Sequence, residues 1–273
     1  MKKFYQNATT GELDGQAVIL LDGRPVKTPA RHNLSPPTDA LAAAIAEEWN
    51  QQGEEIMPES MPLTQLASTA IDRIAAQREA VTEQIARYAQ TDLTCYHTDT
   101  PAALAARQRA AWEPLLAWLE AACGTKLATT SGLQPVPQDE AALAGIAEAI
   151  AALDNFRLAT LSSVTAAAGS VVIGLALVRG QIDGATAVEA AQIDEIFQLE
   201  QWGADAEEEA RLARLSANIL AAERFLALLD SLFHPMCRVS AVYPRLLFSF
   251  SAPIAGMRAF RPALHGRFHA RHR

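Results

Sequence analysis

Residues 194 to 209, "DEIFQLEQWGADAEEE", set seven carboxylates around a Trp-Gly pair. Acids at such spacing can serve as general acid and base, hold a metal ion, or meet another protein. Acid–base work needs a histidine, a second carboxylate or a nucleophile within reach. The sequence has no HExxH, GxSxG, Cys/His pair or EF-hand loop to supply one. Helix punctuation accounts for most of the run. Gly203 is expected to end one helix in the left-handed conformation. Asp205 then caps the next helix, Glu208 completes a capping box, and Glu207 and Glu209 sit in its first turn. Glu195 is different. With residues 185 to 202 taken as one helix, Ala190, Ile193 and Phe197 mark one side. Glu195 points the opposite way, inside an arc shared with Val188, Ala191, Leu199 and Trp202. A carboxylate in apolar company needs an arginine (Arg157, Arg211 or Arg214), a backbone donor or a partner protein. Trp202 is expected to pack in the core. The alternative reading is a small-molecule or metal-dependent enzyme using Asp194, Glu195 and Asp205.

The totals narrow the classes. The chain has 273 residues, half of them apolar and 20% charged, as in an ordinary globule. A net charge of −8 argues against a general nucleic-acid binder, which needs a basic face. Cys95, Cys123 and Cys237 are odd in number and scattered, so they read as thiols in a reducing compartment and not as a disulfide framework. The opening "MKKFYQNATTGELDG" has no apolar or Arg/Ser-rich leader, so export is not expected. No metal, cofactor or nucleic acid is expected, and the chain should be a monomer.

An α+β fold is predicted. Residues 1–60 form a small mixed α/β domain. "QAVILL" and "RPVKTPA" pair across the Asp22-Gly23 turn, with Pro25 and Pro29 at an edge. A helix follows, capped by Thr38 or Asp39, striped by Leu41, Ile45 and Trp49, and stopped by Gly53. Trp49 should anchor the core or the junction between domains. Residues 61–230 form a larger all-helical domain. "LTQLASTAIDRIAAQREAVTEQIARYAQTDL" reads as two helices or one bent helix, "TCYHT" as a short strand, and Pro114 should break or kink the helix around it. Leu158 to Val178 carries no charge over a span long enough to cross a bilayer. Its five Ser and Thr residues and the smooth face of Ala166, Ser170 and Gly174 fit a central core helix better. Residues 231–273 differ from the rest. Seven arginines, four histidines and no acid lie after Asp230, which leaves 16 basic against 31 acidic residues, a charge of −15, for residues 1–230. Prolines at 235, 244, 253 and 262 forbid one helix there. The tail reads as basic and poorly ordered, and His265, His269 and His272 as poor metal ligands in that setting.

Seven segments in order carry a likeness: "KKFYQNA" with "LDGRPVKTPARHNL", "AIAEEWNQQ", "MPLTQLASTAIDR", "YAQTDLTCYHTDTPAAL", "RQRAAWEPLLAWLE" and "DEIFQLEQWGADAE". Over residues 3 to 229 the chain resembles the F-type ATP synthase assembly chaperones that bind the alpha subunit, a family of mitochondria and alpha-proteobacteria. The resemblance implies a non-enzymatic chaperone that keeps the unassembled alpha subunit from aggregating until the beta subunit replaces it. It also implies a small α/β domain followed by a helical one. The family's ExxQxxxWG pattern, whose glutamate matters for function, falls on Glu195, Gln198, Trp202 and Gly203, and Asp205 matches a recurrent family acid. These four residues, Glu195, Gln198, Trp202 and Asp205, are the candidate partner-binding set.

Overall fold

In the computed structural model of the chain, which describes residues 1–132, 134–203 and 205–231, the first elements are an antiparallel meander. It runs β1 (Ala8–Leu13), β2 (Gln16–Leu21) and β3 (Arg24–Pro25) in that order across the sheet. Both connections are Asp-Gly pairs with positive φ at each residue: 53° and 75° at Asp14-Gly15, 47° and 80° at Asp22-Gly23. This is the turn whose twist matches paired strands. Pro25 lies on the edge strand, as expected. The other edge is closed by Asn50, whose amide accepts from Ala8 N (2.8 Å) and donates to Ala8 O (2.9 Å).

The helix α1 (Asp39–Asn50) buries Leu41 and Ile45 against this sheet and is capped by Thr38, whose hydroxyl accepts from Leu41 N at 3.1 Å. Next come a short turn at Pro58–Ser60 and α2 (Pro62–Thr69). A wide π turn at Ala70–Ile74 leads into α3 (Ala75–Ala86), which is bent at Gln77. That is the bent helix the spacing allowed. Glu48, on α1, reaches over and caps α2: its carboxylate accepts from Leu63 N, Thr64 N and Thr64 Oγ1, each at 2.8 Å. The domain division expected near residue 60 would lie at this contact. One apolar core runs across it, from Ile19 and Ile45 to Leu63 and Ile74.

Strand β4 (Tyr96–His97) pairs in parallel with β5 (Thr130–Ser131), on either side of α4 (Ala102–Cys123). Of the break or kink expected at Pro114, the break does not occur: α4 continues through it. Pro114 and Ala110, whose carbonyl it leaves without a helical donor, are both exposed, so water can supply the missing bond. The remaining elements are α5 (Glu140–Ala151), α6 (Asn155–Ala168), α7 (Val171–Val178), α8 (Gly184–Ala191), α9 (Ile193–Trp202) and α10 (Ala206–Asp230).

The uncharged stretch from Leu158 to Val178 is therefore two helices and not one. Gly169, at φ 65°, ends α6 in the left-handed conformation, and Ser170 starts α7 by accepting from Ile173 N at 3.0 Å. The smooth stripe dissolves with the reversal. Ala166 is exposed and Ser170 lies outside the helix, while Gly174 alone serves close packing. A Cβ on Gly174 would stand 2.8 Å from Leu161 and Thr165 side-chain atoms. Every residue of α7 is buried, and no helix among the described residues is long and apolar enough to cross a membrane. Cys95 and Cys123 are free thiols. The basic tail beyond Ser231, with Cys237 and the three terminal histidines, lies outside the described residues.

Candidate functional site

The expected helix over residues 185 to 202 is interrupted at Gln192, which leaves helical geometry at φ −120° and separates α8 from α9. Its buried side-chain amide donates to Leu212 O (3.0 Å) and Ser216 Oγ (3.1 Å) on α10. Tertiary bonding thus decides the break, where the local sequence carries no stop signal. On α9 alone, at about 100° per residue, Glu195, Gln198 and Trp202 fall within roughly 60° of one another. Ile193 and Phe197 lie on the opposite side and are buried. Val188 and Ala191, expected beside Glu195, belong to the preceding helix.

The inner side of α9 is held by α4. Gln108, only 2% exposed, donates to Asp194 Oδ1 at 2.7 Å and accepts from Thr98 N at 2.7 Å. Arg107 lies 5.4 Å from the Phe197 ring centroid and pairs with Glu200 at 2.7 Å. Sequence reasoning missed these anchors, although Arg107 and Gln108 open the recognisable "RQRAAWEP" segment.

The outer side is sparsely bonded. Glu195 is half-buried, and among the described residues its cation is Arg211 at 3.4 Å. Arg211 bonds more closely to Glu208, at 2.6 and 2.9 Å. The bonds to Glu208 first, and the weaker one to Glu195, raise the guanidinium pKa, and Arg211 holds the Glu208 carboxyl below its ordinary value. Glu208 thus bonds Arg211, and among the described residues it accepts no capping-box bond. Arg157 is engaged elsewhere, with Asp154 and Asp230. Asp205 caps α10 as expected, accepting from Glu207 N (2.9 Å) and Glu208 N (2.8 Å).

Trp202 is 80% exposed, so the expectation of core packing is wrong. Its position at the end of α9 is the physical reason. Gly203, at φ 85° and ψ 168°, turns the chain out of the helix immediately afterwards. That conformation is open to glycine but is extended, not the left-handed helical one expected. Gln198 is exposed beside Trp202 on the same face. The structure thus brings Glu195, Gln198 and Trp202 onto one open surface and sets Asp205 at the start of the next helix. Asp194 and Asp205 are bonded to Gln108 and the α10 amides, whereas Glu195 has only the long bond to Arg211. Among the described residues no group of three His, Cys, Asp or Glu side chains is arranged to hold a metal.

Comparison with known proteins fits this picture. The family model described as "ATP12 chaperone protein" matches residues 2–120. The mitochondrial protein atp12 of Schizosaccharomyces pombe is 24% identical over 214 residues, 74% of each chain. The crystal structure of Atp12 from Paracoccus denitrificans is 41% identical with a TM-score of 0.77, covering 84% of this chain and 98% of that one. An aspartate-to-lysine mutant of the same Paracoccus protein is 40% identical, also with a TM-score of 0.77, covering 84% and 97%. The chain belongs to the ATP12 chaperone family, the ATP synthase assembly chaperones that its motifs resemble.

Proposed function

We propose that this chaperone binds the unassembled alpha subunit of the F-type ATP synthase through the outer face of α9 and the start of α10, and yields it when the beta subunit takes its place. The observation that carries the reading is Trp202, a large apolar side chain held in solvent beside the loosely paired Glu195. An isolated subunit exposes apolar surface that its neighbour would cover, and such surface aggregates. A protecting partner needs an exposed apolar anchor, with flanking polar groups that reject wrong surfaces and keep the affinity low enough for displacement. Trp202 is the anchor, and Glu195, Gln198 and Asp205 are the polar surround. Binding of this kind requires no reaction chemistry, a monomer suffices, and a bacterial cytoplasm or mitochondrial matrix is where such a client is made or imported.

Light scattering of purified alpha subunit tests this. The chain should suppress aggregation at near-equal molar ratio and elute with the subunit on a sizing column. Glu195→Lys should abolish both effects with the helical circular dichroism unchanged. Absence of protection by the unaltered chain would remove the reading, and unfolding of the variant would make Glu195 a structural ion pair.

A further inference from the structure

A second face of the molecule has the build of a peptide groove. One wall is a single side of α2 and the π turn after it, where Met61, Gln65, Ser68 and Asp72 follow at three- and four-residue spacing. The opposite wall is the chain from Val26 to Pro29. Between them lies an open hollow of about 610 Å³, floored by the buried Val26, Leu34 and Ile56 and bordered by Trp49. The indole N–H of Trp49 is buried without an acceptor among the described residues. A neighbouring hollow shares Met1, Val26, Lys27 and Trp49 with the first. At this junction Met1 and Phe4 stand 73% and 66% exposed, so apolar surface continues out of the groove into solvent.

The rim fixes the chemistry of the occupant. Its carboxylate, Asp72, is spent: its oxygens accept from Thr28 Oγ1 (2.6 Å), Ala30 N (2.8 Å) and His32 Nδ1 (2.9 Å). The cations Lys27 and Arg73 meet only neutral amides, Asn33 and Gln84, among the described residues. In a chain of net charge −8 this rim is locally positive. The backbone fixes the occupant's shape. Thr28 N donates to His32 O (2.9 Å) and Leu34 N to Val26 O (3.0 Å), the two bonds that flank the Lys27–Asn33 bridge. The N–H and C=O of Lys27 therefore face away from Asn33, and neither has a partner among the described residues. An unpaired backbone edge beside an apolar trough accepts an extended chain.

We infer that this groove holds an extended, mainly apolar segment of the client that carries an acidic side chain, with its backbone against Lys27 and its carboxylate between Lys27 and Arg73. The inference rests on the chaperone reading above and adds a second contact to it. Two separated contacts on one client raise the effective affinity through linkage.

Photo-crosslinking with purified alpha subunit separates the two claims. The full chain carries a photoreactive residue either in place of Ser68, inside the groove, or in place of Gln198, on α9. The Ser68 position should capture one short apolar segment of the subunit that contains Asp or Glu. Lys27→Glu combined with Arg73→Glu should weaken the complex at least tenfold with melting temperature and circular dichroism unchanged. Capture from position 198 but not from position 68, or full affinity in the charge-reversed variant, overturns the groove proposal alone. Absence of any complex with the unaltered chain overturns the chaperone reading, and the groove proposal with it.

Discussion

Asp92 and Glu195 are both carboxylates beside the start of a helix, yet their neighbourhoods are opposite. Asp92 is fully buried and accepts five hydrogen bonds. Oδ1 takes Thr94 N (3.0 Å), Thr94 Oγ1 (2.8 Å) and Ser170 Oγ (2.7 Å); Oδ2 takes Val171 N (2.7 Å) and Val172 N (3.2 Å). It caps α7 from a distance and holds the α6–α7 reversal in place. Glu48 does the same for α2 with three donors. Glu195 has one bond, at 3.4 Å, to an arginine that prefers another acid. A saturated carboxylate is part of the scaffold. A half-exposed one with a single long bond to Arg211 is the kind of acid the proposed client-binding face needs. Donor count, not residue type, separates the saturated acids of the scaffold from the sparsely bonded Glu195.

The comparison is sharpened first at Asp92. Asp92→Asn must turn an NH2 group toward a backbone N–H, that of Thr94 or those of Val171 and Val172, and denaturant unfolding should show a loss of about 3 kcal/mol or more. A loss below about 1 kcal/mol would break the contrast from the buried side. Asp205→Ala removes an exposed helix cap and should cost about 1 kcal/mol by the same measurement. Acid stability comes next. Burial raises the Asp72 pKa, but hydrogen bonds from Thr28, His32 and Ala30 outweigh it and the net direction is down. Asp154 behaves alike, with Arg157 supplying the opposing bonds. A depressed folded-state pKa stabilises above the ordinary carboxylate value, and the gain is lost as pH falls through the folded one. The melting temperature should therefore drop on acidification below about pH 4, and less steeply in Asp72→Asn. The smallest stability effects belong to the open face. Trp202→Ala and Glu195→Lys should each change unfolding free energy by less than about 0.5 kcal/mol. A large destabilisation in either would place the α9 face with Asp92, in the scaffold.

Much of the fold was legible because its signals are local. Asp22-Gly23 fixes a hairpin whatever surrounds it, and Thr38 and Asp205 cap helices with their own side chains. The break at Gly169-Ser170 was also written locally, as a glycine end followed by a serine cap, but the uncharged run obscured it. Gln192 was not legible at all, because its break is set by Leu212 and Ser216, some twenty residues away. The same limit applies to the site. The family pattern named Glu195, Gln198 and Trp202 as candidates, and helical spacing placed Glu195 opposite Phe197, as α9 has it. Trp202 was misread because tryptophan is usually buried, and only the full path of Gly203 shows that its ring is left uncovered.

Hydrogen exchange of the chain, alone and mixed with purified alpha subunit, tests the proposed client-binding face most directly. Slowed exchange should appear across residues 193–208, the α9 face and the first turn of α10. Unchanged exchange throughout that segment, in a complex that demonstrably forms, would contradict the assignment of Trp202 and Glu195 to client binding.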